Sequence, residues 1–259
     1  MYKMADVKAK KYLGQHFLTN EDVAIKIVES LPVKTIAALE IGAGMGVLTK
    51  YLVKIPTLNL KVVEIDEESV SYLIKNKILN KEQIFSGDFL KISPSTYFDS
   101  DFSIIGNFPY NISTQILFRV LDYKDQIPCV VGMFQKEVAQ RIASGPGNKD
   151  YGIISVLLQA FYDIEYLFTV QEYDFNPPPK VKSGVIRLIR NGVQELDCDE
   201  KAFVRVVKLA FNQRRKTLRN SLRSVMPQKL LQMDVLNKRP EQLDVKTFVE
   251  LTNLIEGKV

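Results

Sequence analysis

An asparagine, an aromatic residue, a proline and a tyrosine stand in succession at Asn107-Phe108-Pro109-Tyr110, directly after the apolar run Phe102-Ser103-Ile104-Ile105-Gly106. That run reads as a buried strand ending at a glycine. The four residues therefore fall at a strand's C-terminal end. An asparagine side-chain oxygen there can accept a hydrogen bond from an N–H of a ligand. Pro109 stiffens the turn and biases Phe108 towards an extended conformation, which can aim the Phe108 carbonyl at the same amine. Tyr110 offers a ring on which a base lifted from its stack can lie. These groups suit methyl transfer to an exocyclic amino nitrogen. Taken alone, the residues are also compatible with a plain strand-to-helix turn.

Three further motifs follow strands. Glu40-Ile41-Gly42-Ala43-Gly44-Met45-Gly46 closes one strand and opens a helix. Glycines there let the backbone turn sharply and approach a ligand without a Cβ clash. The spacing is GxGxG, and Val47 stands where a dinucleotide fingerprint needs glycine. Some twenty residues on, Val62-Val63-Glu64-Ile65-Asp66 ends the next strand, and a carboxylate at Glu64 can take the hydroxyls of a ribose. After the third strand come Gly87, Asp88 and Phe89, where Asp88 could accept from an adenine amino group and Phe89 could pack on its ring. Each motif has a bland counterpart, a tight turn or a solvated acid. In this order they fit S-adenosylmethionine better than NAD, because a sulfonium and a methionine moiety need no pyrophosphate cradle.

The elements that must hold these residues alternate along the chain. Helices are predicted at Glu21–Leu31 with Asn20 as N-cap, then at 47–55, 67–77, 113–121, 135–143 and 151–161. Strands are predicted at 35–41, 60–65, 83–86, 102–106 and 127–134. This order implies an α/β fold with a mostly parallel sheet covered on both faces. Glu165–Val170 and Gly184–Ile189 flank Pro177-Pro178-Pro179 and read as a closing antiparallel hairpin. The three prolines read as a rigid active-site loop rather than a polyproline ligand. Ser144–Lys149 is a flexible loop by composition. Beyond Asn191-Gly192 no further strand is evident, and helices are predicted at 201–223 and 247–255. The reading is one domain over residues 1–192 and a small all-helical domain over 193–259.

Composition narrows the classes. The chain has 259 residues, a net charge of +5 and 46% apolar residues, as expected of a globular protein with a lean towards polyanions. A single histidine, His16, excludes a histidine-rich metal site and a conventional His-based triad, so no metal is expected. Cys129 and Cys198 fit no metal or redox pattern. No segment is long and apolar enough to span a bilayer, and the basic N-terminus has no apolar stretch behind it. A cytoplasmic location is expected. Lys3, Lys8, Lys10 and Lys11 read as a mobile basic arm. In the C-terminal part, Arg215, Arg219 and Arg223 recur every four residues on the predicted helix, with Arg214 and Lys216 beside them. They are expected to contact RNA phosphates, against the alternative of a solvated helix face.

Taken together these residues resemble the KsgA-type small-subunit rRNA adenine dimethyltransferases, nearly end to end. Lys11-Tyr12-Leu13-Gly14-Gln15-His16-Phe17-Leu18 is similar to a GQNFL-like N-terminal motif, Glu40–Thr49 to EIGPGxGxLT, and Asn107–Ser113 to NLPYNIS. Gln135–Arg141 and Tyr151-Gly152 match the family's middle region. Phe175–Val181 is similar to FxPxPKV, and Phe211–Asn220 to FxxRRKxLxN. His16 stands where asparagine is typical, Ala43 where proline is, and Phe108 where leucine is. The resemblance implies a Rossmann-like class I methyltransferase sheet with a helical C-terminal domain. It implies S-adenosylmethionine held by Gln15, His16, Leu18, Gly42, Gly44, Gly46, Glu64, Ile65, Asp88, Phe89 and Asn107. It places Phe175 against the target base. The implied reaction gives N6,N6-dimethyladenosine at two adjacent adenosines near the 3′ end of 16S rRNA in the small ribosomal subunit, as a step in subunit biogenesis. A monomer is expected. The alternatives are a sister enzyme of the erythromycin-resistance type acting on large-subunit rRNA, a non-enzymatic RNA-binding factor on the same fold, and a DNA adenine methyltransferase.

Overall fold

The computed structural model describes residues 7–258, so Lys3 of the predicted basic arm lies outside the described residues. The strands are β1 Phe17–Leu18, β2 Ala37–Ile41, β3 Asn59–Glu64, β4 Ile84–Ser86, β5 Ser103–Asn107, β6 Cys129–Gln135, β7 Tyr162–Val170, β8 Phe175–Asn176 and β9 Ser183–Arg190. The helices are α1 Glu21–Glu29, α2 Thr49–Leu52, α3 Glu67–Lys75, α4 Ser113–Asp122, α5 Lys136–Ala143, α6 Ile153–Gln159, α7 Glu200–Asn212, α8 Leu218–Ser221 and α9 Val245–Glu256. The chain forms two compact units: residues up to 139 with 165–190, and residues 140–164 with 191 onward. The difference from a single division at 192 is the segment 140–164. Its helix α6 is apolar nearly all round, with Ile154, Val156, Leu157 and Leu158 buried, and it packs with α7 and α9.

A seven-stranded sheet in the order β4-β3-β2-β5-β6-β9-β7 organises the first unit. β4, β3, β2, β5 and β6 are parallel, and β9 runs antiparallel to β6. From β2 the chain steps outward to β3 and β4, then returns to place β5 on the other side of β2. That reversal opens a crevice beyond the carboxyl ends of β2 and β5. The parallel register puts Ile41 beside Val63 and Glu64 beside Ser86. The segments that leave β2, β3, β4 and β5 therefore all emerge at one edge. β2 is buried along its whole length, as a central parallel strand must be. Asn20 caps α1, its Oδ1 accepting from Asp22 N at 3.0 Å and Val23 N at 3.3 Å. Such a cap stabilises a helix by about 1 kcal/mol.

A second, two-stranded sheet pairs β1 with β8, Leu18 opposite Phe175. Two residues per strand are too few for periodicity to reveal, and the sequence reading lacks this pairing. It ties the N-terminal segment to the loop leading into the three prolines. The predicted mobile arm is corrected over its described part. Lys11–Leu13 form a 3-10 turn, and Lys10 Nζ pairs with Asp66, whose side chain is fully buried, and with Glu68 at 3.2 Å.

In the second unit α7 buries Ala202, Phe203, Val206, Val207, Ala210 and Phe211 along one stripe. Phe211 stacks on Phe248 of α9 at 6.0 Å and meets Tyr151 edge-on at 6.4 Å. The single helix predicted over 201–223 is corrected. α7 ends at Asn212, Gln213 leaves the helical region at φ −119° and ψ 54°, and α8 begins at Leu218. The break serves burial. It lets Leu218 and Leu222 be fully enclosed, each worth about 1.5–3 kcal/mol. Leu218 N also bonds Lys238 O at 2.9 Å. The loop at 144–149, read as flexible, is tethered within this unit. Gln159 Nε2 donates to Ser144 O and Gly147 N to Glu241 O, both at 2.7 Å. Among the described residues no helix is long and apolar enough to cross a membrane.

Candidate active site

A cleft of about 1170 Å³, open mouth included, lies at the carboxyl edge of the sheet in the first unit. Its lining gathers residues from five separate stretches of chain. Gln15, His16 and Leu18 come from the N-terminal segment, and Glu40 from β2 with Gly42 and Gly44 from the turn after it. Glu64 ends β3 and Ile65 follows it, Asp88 and Phe89 follow β4, and Asn107 ends β5 with Phe108, Pro109 and Tyr110 after it. Two expected site residues, Gly46 and Phe175, do not line it. Gly46 is absent from the lining: at φ +79° it lies where a Cβ would come within 2.9 Å of Leu73, so it seats the loop on α3. Phe175 is 4% exposed and belongs to the core cluster with Leu18 and Val185, so its ring is committed to packing beneath β1.

The glycine-rich turn is held by the acid that follows it. Gly44 N donates to Glu64 Oε2 at 2.9 Å, and Asp66 N donates to Glu64 Oε1 at 2.9 Å. Gly44 has φ +55°, and a Cβ there would come within 2.8 Å of the Phe17 ring. Burial pushes the Glu64 carboxyl up, opposed by the Asp66 and Gly44 amides. Each carboxylate oxygen can accept more than one hydrogen bond. Glu64 thus keeps acceptor capacity for a vicinal diol while anchoring the loop. Beside it, Glu40 is 1% exposed and accepts from Thr49 Oγ1 at 2.7 Å. Burial, opposed by the Thr49 bond and reinforced by the Glu64 charge, pushes Glu40 up to about 8. No role for Glu40 came from the sequence reading. The signal was present: an acid inside the apolar strand Ala37–Ile41.

Asp88 accepts from Leu90 N at 2.9 Å through one oxygen, and the other faces the exposed Lys91 at 3.9 Å. Phe89 is buried and stacks near Tyr97, with ring centroids 6.5 Å apart. Ile65 is 49% exposed within the lining, an apolar surface open to a flat ring. Gln15 Nε2 donates to Asp66 Oδ2 at 3.1 Å, and its Oε1 accepts from Lys10 N at 2.8 Å. Burial opposes ionisation of Asp66, yet the bonds from Lys10, Gln15 and Ser69 hold its carboxyl below the usual range. The N-terminal segment is thereby fastened beside Glu64.

Asn107 has a defined orientation. Its Nδ2 donates to the His16 carbonyl at 2.9 Å, which turns Oδ1 to the opposite side of the amide. Phe108 is 1% exposed, with its ring edge-on to Phe134 at 5.2 Å. A Cβ on Gly106 would lie 2.8 Å from that ring, so glycine at this strand position makes room for Phe108. Tyr110 Oη bonds Ser183 Oγ at 2.6 Å, and burial raises its phenol against that bond. Asn111 also lines the cleft and was not singled out in the sequence; a Cβ on Gly14 would meet its Oδ1 at 2.7 Å.

The five basic residues expected to contact RNA divide into two kinds. Arg214 is half-buried and donates to Tyr151 O at 3.1 Å, and Arg219 donates to Asn237 Oδ1 at 2.8 Å. Those two brace the turn between α7 and α8. Arg215, Lys216 and Arg223 are exposed.

A parallel sheet with its reversal between β2 and β5, a glycine-rich turn, and acids after β3 and β4 define a Rossmann-like class I methyltransferase. The sequence profile of the family described as ribosomal RNA adenine dimethylase matches residues 6–255, and the chain belongs to that family. It is 58% identical over 258 residues to the ribosomal RNA small subunit methyltransferase A of Cytophaga hutchinsonii, spanning 98% of this chain and 100% of the relative. The protein of the same name in Parabacteroides distasonis is 56% identical over 249 residues, 95% of this chain and 93% of the relative. The fold is shared with a solved dimethyladenosine transferase from Plasmodium falciparum. The TM-score is 0.77 at 24% identity, over 94% of this chain and 98% of that one.

Proposed function

We propose that the chain transfers methyl groups from S-adenosylmethionine to N6 of adenosines in small-subunit ribosomal RNA, giving N6,N6-dimethyladenosine. The observation that carries the reading is Asn107. It stands in the cleft at the end of β5 with Nδ2 occupied by the His16 carbonyl, so Oδ1 is the atom available to an incoming amine. The family and the small-subunit relatives supply the substrate class.

The donors and acceptors of the cleft fit the cofactor. Glu64 has spare lone pairs for a ribose diol. Asp88 offers a carboxylate for an adenine amino group, and Ile65 and Phe89 offer apolar flanks. The glycine-rich turn admits close approach of the methionine portion. When bound, S-adenosylmethionine supplies an electrophilic methyl on a sulfonium.

The chain's own task is to make a poor nucleophile point the right way, because the N6 lone pair is delocalised into the purine. In the first transfer Asn107 Oδ1 and the Phe108 carbonyl would each accept one N–H of the amine; in the second, one of them would accept the single N–H left on the monomethylated amine, and each transfer releases S-adenosylhomocysteine and a proton to solvent. That favours a pyramidal nitrogen with its lone pair directed out of the ring plane. Phe108 is well suited to a main-chain role, since its ring is locked in the core. Tyr110, fixed by Ser183, provides the surface on which the extruded base stacks. Catalysis is then mostly positioning and electrostatics. Arg215, Lys216 and Arg223 would carry phosphate contacts, and a monomer suffices for each of these roles.

The test is incubation with labelled S-adenosylmethionine and unmethylated small subunits, large subunits or naked DNA, followed by mass spectrometry of digested nucleic acid. Dimethyladenosine from the small subunit alone is expected. Label in the large subunit or in DNA, or none at all with cofactor bound, overturns the assignment.

A further inference from the structure

His16 touches three parts of the site at once. Its carbonyl receives Asn107 Nδ2 at 2.9 Å, and its Nδ1 lies 2.8 Å from Pro177 O. Its ring lies 5.5 Å from the Tyr110 ring, inclined by only 29°. A carbonyl oxygen can only accept, so Nδ1 carries the proton; in a neutral ring, Nε2 is then the bare nitrogen. Tyr110 is held at its far end by Ser183 Oγ at 2.6 Å. Tyr110 is therefore tethered at its hydroxyl by Ser183 and flanked on one side by the imidazole. The imidazole is in turn fixed by the chain that follows β8.

We propose that the His16 ring is a positioning residue, latched by Pro177, that backs Tyr110 and leaves its opposite face for the target base. This rests on the reading of Tyr110 as the base platform. The order of rings would be imidazole, phenol, adenine. Asparagine, typical of the resembling family at this position, could reach the Pro177 carbonyl but has no ring to back Tyr110. The latch acts on the orientation of the base, and therefore on turnover. Cofactor affinity should depend on it little, because the His16 contact nearest the cofactor-facing residues is made by its main chain.

The experiment uses the full chain, S-adenosylmethionine and unmethylated small subunits. His16→Ala should lower kcat about tenfold, the scale of one lost ring contact plus one hydrogen bond. S-adenosylmethionine affinity by calorimetry should stay within about twofold, since both ring contacts are made to Pro177 and Tyr110 and neither to the acids after β3 and β4. His16→Phe, which keeps a ring, should recover most of kcat; His16→Asn should not. Rescue by asparagine and not by phenylalanine overturns the role of the ring, as does a loss confined to cofactor affinity. Because the chain has one histidine, the ¹⁵N spectrum of its imidazole is a single unambiguous reporter. The Nδ1–H tautomer is expected in alkaline buffer, and the Nε2–H tautomer overturns the latch. That spectrum needs no turnover. If wild-type protein methylates nothing, the functional reading fails while the latch is still decided.

Discussion

Glu40→Gln isolates the electrostatic cost of an acid enclosed beneath the glycine-rich turn. The wild-type carboxyl is 1% exposed and pushed by burial from 4.5 to about 8. Such a group holds its proton more tightly folded than unfolded. Its contribution to stability is fully present below about pH 4.5 and is lost as pH rises through about 8. Within that window each pH unit removes about 1.4 kcal/mol, so the loss between about pH 6 and pH 9 is roughly 2–3 kcal/mol. Glutamine still accepts from Thr49 Oγ1, the 2.7 Å bond of the wild type, and carries no charge. Its stability should therefore lack this slope. Glu64 is also raised by burial and declines in the same direction, and its charge is one cause of the Glu40 shift, so the difference between the proteins reports Glu40 together with that coupling. The chain has no tryptophan, and urea unfolding followed by far-UV circular dichroism is the suitable assay. The variant should gain on the wild type by roughly 2–3 kcal/mol across the range. Parallel pH profiles would refute the picture of a neutral, buried Glu40.

Four further outcomes follow. Asn107→Ala should reduce single-turnover methyl transfer by at least about a hundredfold while leaving S-adenosylmethionine affinity nearly intact by calorimetry; normal turnover at saturating cofactor would contradict the role of Oδ1. Gly44→Ala should weaken cofactor binding by about tenfold or more, because φ +55° and the Phe17 ring 2.8 Å from its Cβ both resist a side chain; unchanged affinity would show that the turn tolerates the strain. Neutralising Arg215, Lys216 and Arg223 together should flatten the slope of log K for RNA against log salt by about two to three units. Replacing Arg214 and Arg219 should instead lower the stability of the second unit, seen as an earlier urea midpoint.

The strands and the residues at their ends were legible because each motif is local. A glycine-rich turn after Ala37–Ile41, Glu64 at the end of β3 and Asn107 at the end of β5 announce themselves by type and by place along an alternating pattern. The N-cap Asn20 was legible for the same reason, a side chain bonding its own next turn. The single helix over 201–223 was misread because helical spacing continues unbroken from Lys201 to Arg223 in sequence. What ends α7 at Asn212 is the burial of Leu218 and Leu222, a demand made by distant parts of the chain.

Sequence by itself determined the class of fold, the candidate cofactor constellation and the tetrapeptide proposed to address the amine, since these rest on backbone propensities and short-range spacing. Tertiary structure decided how those groups are aimed. The two-residue pairing of β1 with β8, the His16 contacts to Asn107, Pro177 and Tyr110, and the enclosure of Phe175 each join segments some 90 to 160 residues apart. A hydrogen bond or ring contact across such a separation leaves no periodicity in the chain. It exists only once the sheet has brought its carboxyl ends together.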